Sequence, residues 1–355
     1  MATPTATATR PTKTSGSPIT SRASSTSPWS CISSPAGDSV PEASQTSLLP
    51  DSTAAPVRER LYVGTCSWAE KSFIKSDFYP RAIRRAEDRL RYYTTQFPTV
   101  EVDASYFALL PPAYSQKWAE ATPPGFIMHA KAFGLFTGHG AQVQRLPPGF
   151  AALLPERLRE AAEVRLGDVP EEFLNACWDH FRAFLDPLAR AGKLGYVLFQ
   201  LPPGATYSPA VLEAMLGWKR ELAGRHLAVE FRNRDWARHP DAMEFLAREG
   251  LAYVMVDLPD LPRLMPALEA VTADWAVIRF HGRNRAGWGR TGASTEERYD
   301  YEYTVDELRP WAEIVERSAA RVRRLFAMFN NHVRGNMARN ARTFVSLLEG
   351  ASEPA

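Results

Sequence analysis

The sequence predicts an α/β protein, a TIM-like (β/α)8 barrel of parallel strands, on three observations. Eight short apolar runs recur between Leu61 and Asn331 at the spacing of strand–helix units. Amphipathic helical stretches separate most of them, and each run stops at a polar or ionisable residue. A closed ring of such strands buries its apolar length and gathers the polar ends on one face, where barrels place their chemistry.

The first run spans Leu61 to Ser67 and opens with Leu61-Tyr62-Val63-Gly64-Thr65. A helix over Glu87 to Tyr93 leads to the second, Thr99 to Asp103, whose alternation puts Glu101 and Asp103 on one face and Val100 and Val102 on the other. Pro111-Pro112 opens a helix over Ala113 to Ala121. The third run, Ile127 to Lys131, places His129 and Lys131 together. Ala132 to Pro170 far exceeds the roughly 2–6 residues of a usual βα loop, so it reads as an insertion over the barrel mouth, with a short helix at Pro155 to Ala162.

Glu171 to Ala191 is strongly amphipathic, and the fourth strand, Leu194 to Gln200, is closed off by Pro202-Pro203-Gly204. Helix Ala210 to Leu222, strand His226 to Arg232, helix Asp241 to Glu249 and strand Ala252 to Asp257 follow. The proline-rich stretch Leu258 to Asp274 predicts a degenerate barrel helix. Strand seven, Val277 to His281, runs into a Gly- and Arg-rich loop, Gly282 to Arg298. Helix Val305 to Glu316, strand Leu325 to Asn331 and helix Asn336 to Leu348 close the ring.

The chain of 355 residues reads as one barrel domain, 58–350, behind a tail. Residues 1–57 are rich in Ser, Thr, Pro and Ala, with no acidic residue before Asp38, and are expected to be disordered because they cannot bury enough apolar surface. Arg10, Lys13 and Arg22 among many hydroxyls loosely resemble a transit peptide, but they are sparse and form no amphipathic helix, so a non-functional extension or a start placed too far upstream is expected instead. A net charge of +2 implies neither nucleic acid nor an anionic membrane as partner, and no apolar run reaches the roughly 18–20 residues of a membrane span. Cys31, Cys66 and Cys177 lack Cys-x-x-Cys spacing, so a reducing, cytoplasmic setting is expected rather than a disulfide scaffold or zinc site. Nothing in the spacing sets an oligomeric state.

The strand ends collect Ser67, Glu101, Asp103, His129, Lys131, Gln200, Glu230, Arg232, Asp257, Arg279, His281, Asn330 and Asn331. Buried charges must neutralise one another, bind a ligand or face water. One reading is a structural ion-pair network capping the barrel. The other is an enzyme acting on a small polar or anionic molecule. In it Glu230 and His281 handle protons, and Lys131 binds the anion or acts as base or nucleophile. Arg232 and Arg279 then bind negative charge, Glu101, Asp257 and Asn331 orient groups, and Asp103, Gln200, Trp68 and Tyr106 complete the pocket.

Phe73, Tyr79, Phe107, Trp236, Trp288 and Tyr301 crowd the same rim. A non-catalytic metabolite or nucleic-acid binder is the alternative, the latter through Arg283, Arg285, Arg290 and Arg298 beside Trp288. Glycoside hydrolysis by Glu101 and Glu230 is a further alternative. No cofactor is required; Glu101, Asp103, Asp257, His129 and His281 offer ligand types for a divalent cation without diagnostic spacing.

From Leu61 to about Leu348 the chain resembles the YecE-like family, domain of unknown function 72. The resemblance rests on Tyr62-Val63-Gly64-Thr65 with Ser67-Trp68, Phe78-Tyr79-Pro80, Tyr92-Tyr93 before Phe97, and Thr99-Val100-Glu101-Val102-Asp103 leading to Ser105-Tyr106-Phe107. It continues through Trp118, Phe126 with Lys131, Leu198-Phe199-Gln200-Leu201-Pro202-Pro203, Glu230-Phe231-Arg232 with Trp236, Asp257, Arg279 with His281-Gly282, and Phe329-Asn330-Asn331. The resemblance implies a TIM-like barrel and no established activity. Asp103 stands where the family often carries Asn, Tyr106-Phe107 where it carries Phe-Tyr, and Asn330-Asn331 where it carries an Asp-Asn ending.

Overall fold

Strands buried on both faces read as continuous apolar runs, and the computed structural model, which describes residues 57–350, folds all eight runs into one ring. The described residues begin with helix α1 (Val57–Arg60) and strand β1 (Leu61–Thr65), then α2 (Lys71–Ile74), α3 (Ala86–Thr94), β2 (Thr99–Val102), α4 (Ala104–Phe107), α5 (Pro112–Ala121) and β3 (Ile127–Lys131). The insertion carries a two-stranded antiparallel ribbon, β4 (Ala141–Gln142) with β5 (Glu163–Val164), ahead of α6 (Glu171–Arg190). Strand β6 (Leu194–Gln200), α7 (Pro209–Glu221), β7 (Leu227–Glu230), α8 (Pro240–Glu249) and β8 (Ala252–Asp257) restore the alternation. After β9 (Trp275–Phe280) come α9 (Arg285–Gly289), α10 (Thr295–Tyr299), α11 (Val305–Ala319), β10 (Arg324–Phe329) and α12 (Asn336–Leu348).

The barrel closes in the order β1-β10-β9-β8-β7-β6-β3-β2, all neighbours parallel. Helix starts follow local chemistry. Proline occupies the first turn of α5, α7 and α8, and Thr304 and Ser294 form reciprocal capping boxes with Glu307 and Glu297. The link between β8 and β9 holds no helix, as its prolines predict. Two details of the insertion differ from expectation. The helix expected at Pro155 to Ala162 is a single 3₁₀ turn, Glu156–Leu158, and the ribbon was not foreseen, because two residues per strand leave no alternation to read. Of the tail expected over 1–57, only Val57 lies within the described residues, and it opens α1.

Inside the barrel an aromatic layer underlies a charged one. His129 stacks on Tyr196 at 3.7 Å between ring centroids, and Trp275 and Phe326 pack on Tyr196 from two further strands. His129 accepts from Tyr196 N at its Nδ1 (3.1 Å), and its Nε2 lies 2.8 Å from Thr99 Oγ1. Burial holds its imidazole well below the usual range, so it is a neutral part of the barrel filling rather than a companion of Lys131 at the site. The ring fits there because Gly195 has no side chain: a Cβ at that position would stand 2.3 Å from the imidazole. Gly195→Ala is therefore expected to destabilise the fold by roughly 1–3 kcal/mol through overpacking. Adding His129→Ala should give a double variant less destabilised than the summed single effects. Denaturant unfolding of the four proteins measures this, and simple additivity would show that the two positions do not compete for space.

Candidate functional site

Arg279 on β9 stands at the centre of the upper barrel. Its guanidinium pairs with Glu101 Oε1 on β2 at 2.5 Å and with Glu230 on β7, and all three side chains are fully buried. Glu101 Oε2 accepts from Tyr196 Oη at 3.0 Å, tying the charged layer to the aromatic one. Glu230 also pairs with Arg232 and lies 3.2 Å from His281 Nε2, while Arg232 donates to Gln200 Oε1 at 2.8 Å. Asp103 Oδ1 lies 3.7 Å from both Arg279 Nη2 and Lys131 Nζ. Of the strand-end residues singled out from sequence, Glu101, Asp103, Glu230, Lys131, Arg232 and Arg279 thus converge, as three carboxylates facing three cations.

The two glutamates end up with opposite proton affinities. Burial alone would push the Glu230 carboxyl up, but the Arg232 and Arg279 guanidiniums outweigh it and hold it well below the usual carboxylate range. A carboxylate held ionised by two guanidiniums is disfavoured as a proton donor and is a poor base, which weighs against the acid/base role expected of Glu230. Burial drives His281 down to about 3, with Arg232 adding to the effect. Its Nδ1 faces Asn330 Nδ2 at 3.2 Å. His281 is thus buried and held neutral, which weighs against the proton shuttle expected of it.

Glu101 behaves differently: burial raises its carboxyl to about 7, Arg279 offsets this only in part because its charge is shared with Glu230, and Asp103 adds a further upward push. The carboxyl poised near neutrality is therefore Glu101, expected only to orient groups. Its signal was present in sequence: two acids two residues apart on one inward face repel each other's ionisation.

A hollow of ≈ 560 Å³ opens above, lined among others by Cys66, Trp68, Asp103, Lys131, Tyr299 and Asn330. Lys131 Nζ sits 4.5 Å over the Tyr106 ring and has no hydrogen-bond partner among the described residues. Cys66, Glu101 and Asp103 bring three potential metal-ligand atoms within 4.8 Å of one another. Arg279 Nη2 already lies among them, 3.5 Å from Cys66 Sγ, 2.5 Å from Glu101 and 3.7 Å from Asp103. The guanidinium takes the place a divalent cation would need, so the cation left open by the sequence does not fit this cluster.

Two expected site residues face away from the hollow. Asp257 accepts three bonds from Arg283 at 2.6–3.2 Å, one from Tyr303 Oη at 2.9 Å and one from the Trp311 indole, so its oxygens are saturated outside the barrel, against α11. Asn331 donates to Tyr301 O and Asn340 Oδ1, both at 2.8 Å, and its neighbour Asn330 lines the hollow instead. Of the rim aromatics, Phe73 and Trp236 are core residues, Trp236 stacking on Phe231 at 4.0 Å. The loop after β9 folds into α9 and α10 and covers the charged ring: Trp288 lies 5.6 Å from the Arg232 guanidinium, and Tyr299 lies 5.9 Å from His281. In that loop Arg283 is spent on Asp257 and Arg290 on Glu297. Tyr196 and Tyr299, which complete the site, carried no sequence signal beyond being aromatic.

Because folding raises the Glu101 carboxyl from 4.5 to about 7, the folded chain binds that proton more tightly than the unfolded one. Its contribution to stability is complete below about pH 4.5 and is lost as pH rises through 7. Glu101→Gln cannot ionise, so the stability of E101Q relative to the wild type should increase between pH 5 and 7.5 in denaturant titrations. Asp103→Asn should lower the Glu101 midpoint, read from labelled-carboxyl NMR, by removing a neighbouring negative charge. A midpoint near 4.5 in the wild type would contradict the electrostatic account.

Comparison with known proteins agrees with this architecture. The family described as "Protein of unknown function DUF72" matches residues 62–355. "UPF0759 protein YunF" of Bacillus subtilis (strain 168) is 28% identical over 297 residues, covering 81% of this chain and 95% of that protein. The crystal structure of a DUF72 family protein from Thermotoga maritima MSB8 is 28% identical, with a TM-score of 0.65 over 82% of this chain and 99% of that one. A DUF72 family structure from Enterococcus faecalis V583 shares 21% identity and the fold, with a TM-score of 0.64 over 82% of this chain and 97% of that one. No helix among the described residues is long and apolar enough to cross a membrane. With a family match spanning nearly the whole described barrel, the chain belongs to the DUF72 family.

Proposed function

We propose that the chain is an enzyme using acid/base chemistry on a small polar, anionic molecule seated in the hollow at the C-terminal face of the barrel. The observation that carries this reading is the pairing of Lys131 and Asp103 in the lining of the hollow, with a carboxylate oxygen of Glu101 within 4.8 Å of one of Asp103. Lys131 offers an ammonium with unused donors to the anion. Asp103 meets the substrate, and Glu101, whose proton affinity matches neutral pH, exchanges a proton with it from behind. Arg279 holds Glu101 in place and keeps the site's charge from collapsing to a bare carboxylate pair. Proton transfer beside a fixed cation suits a lyase, an isomerase or a hydrolase.

Glycoside hydrolysis is not favoured, because Arg279 lies between Glu101 and Glu230 and binds both, leaving no gap for a glycosidic bond. A nucleic-acid interface at the loop after β9 is weakened by the engagement of Arg283 and Arg290 with acidic partners.

The test is incubation of the purified protein with mixtures of small polar metabolites, followed by mass spectrometry of what is bound and what is consumed. The wild type should consume a component that it also binds. Asp103→Asn should slow consumption by about 10²-fold or more with little change in binding, whereas Lys131→Met should weaken binding. A component held stoichiometrically and never converted would make the protein a binder and end the catalytic reading.

A further inference from the structure

Among the described residues two large apolar side chains are exposed, Phe107 at 55% and Tyr114 at 48%, and both line the same hollow as Lys131 and Asp103. They do not stand alone. Tyr114 packs on Trp118 at 6.2 Å between ring centroids, and Trp118 packs edge-on against the buried Trp68 at 5.1 Å, so a row of rings runs from the rim inward. Phe107 packs at 4.8 Å on Tyr106, the ring beneath the Lys131 ammonium. Leu110 fills the wall beside them. Exposed apolar side chains scattered singly over a surface carry no message, but a set of them around one concavity of ligand size, beside an ammonium that faces Asp103 at 3.7 Å and makes no hydrogen bond among the described residues, is how small-molecule sites are built.

We propose that the ligand of this hollow carries a flat, largely apolar ring as well as its negative charge, so that the substrate class is aryl or heteroaryl acids. This rests on the reading that the hollow is the substrate site. The ring would lie on the shelf formed by Phe107, Tyr114 and Trp118, in the offset or edge-on arrangements that aromatic pairs prefer. The acid group would meet Lys131 Nζ. A polyol fits less well, because Phe107 and Leu110 present no side-chain hydrogen-bonding atom, and hydroxyls desolvated against them would lose their partners.

Isothermal calorimetry on the full chain with three probes tests this: indole-3-acetate, which has ring and charge, acetate, which has charge alone, and 3-methylindole, which has the ring alone. Indole-3-acetate should bind more tightly than either fragment. The Phe107→Ala/Tyr114→Ala double variant, altered only at exposed positions and checked by its unfolding midpoint, should weaken it about fivefold or more. Lys131→Met should bring its affinity down to that of 3-methylindole.

If acetate binds as tightly as indole-3-acetate, or the double variant leaves the affinity of indole-3-acetate within about twofold, the ring proposal is overturned while the anion reading stands. If indole-3-acetate binds Lys131→Met as well as the wild type, the anion reading falls, and with it the acid class. If no probe binds at millimolar concentration, the proposal is overturned. Sedimentation showing Phe107-dependent self-association would then identify a second copy as the occupant of the shelf.

Discussion

The upper barrel depends on one guanidinium serving two buried carboxylates. Arg279 reaches Glu101 through Nη2 and Glu230 through Nη1, joining strands β2 and β7 from between them. A planar fork with donors on separate nitrogens can do this, whereas an ammonium is a single point of charge. Removing one partner from such a buried set leaves an uncompensated ion, at a cost of about 3–5 kcal/mol. The sharing is unequal, since Glu230 has Arg232 as a second cation and Glu101 has Tyr196, a neutral donor. That inequality separates two chemically identical side chains into a fixed carboxylate and one poised near neutrality.

The surrounding layers preserve the inequality. Below, the packed rings of His129, Tyr196, Trp275 and Phe326 leave the charged layer a dry base, where electrostatic effects are stronger than in water. Above, α9 and α10 lay Trp288 and Tyr299 over Arg232 and His281. Asp103, Lys131 and Asn330 line the side left open. The site therefore has a sealed electrostatic base and an accessible front, and groups that the sequence puts in one ring divide between them.

Strand number and order were legible because eight mainly apolar runs recur at strand–helix spacing and each stops at a polar residue. Facing was legible only where polar and apolar residues alternate, as in Thr99 to Asp103, where Glu101 does point inward. Ala252 to Asp257 is buried on both faces and has no alternation, so nothing in its composition showed that Asp257 belongs to the outer row with Arg283, Tyr303 and Trp311. Asn330 and Asn331 are the same residue type in adjacent positions, and only the parity of β10 decides that the first lines the hollow and the second meets Asn340 on α12. The sealing of Glu230 was beyond sequence for another reason: it depends on Arg232 folding back onto the carboxylate two residues before it while Arg279 arrives from two strands away.

Charge balance then links guest and proton. With Glu101, Asp103 and Glu230 all ionised, the cluster offsets Lys131, Arg232 and Arg279. With Glu101 protonated, it carries one excess positive charge. Asp103 favours that protonated state, and an Asn in its place would release Glu101 toward the ionised form. Lys131 opposes it, because its ammonium stabilises the Glu101 carboxylate. An anion seated against Lys131 neutralises that opposing field and adds its own negative charge at the open end of the cluster, so both effects favour the proton on Glu101. On the proposed reading, anion binding and proton uptake would thereby be coupled through Lys131 and Asp103.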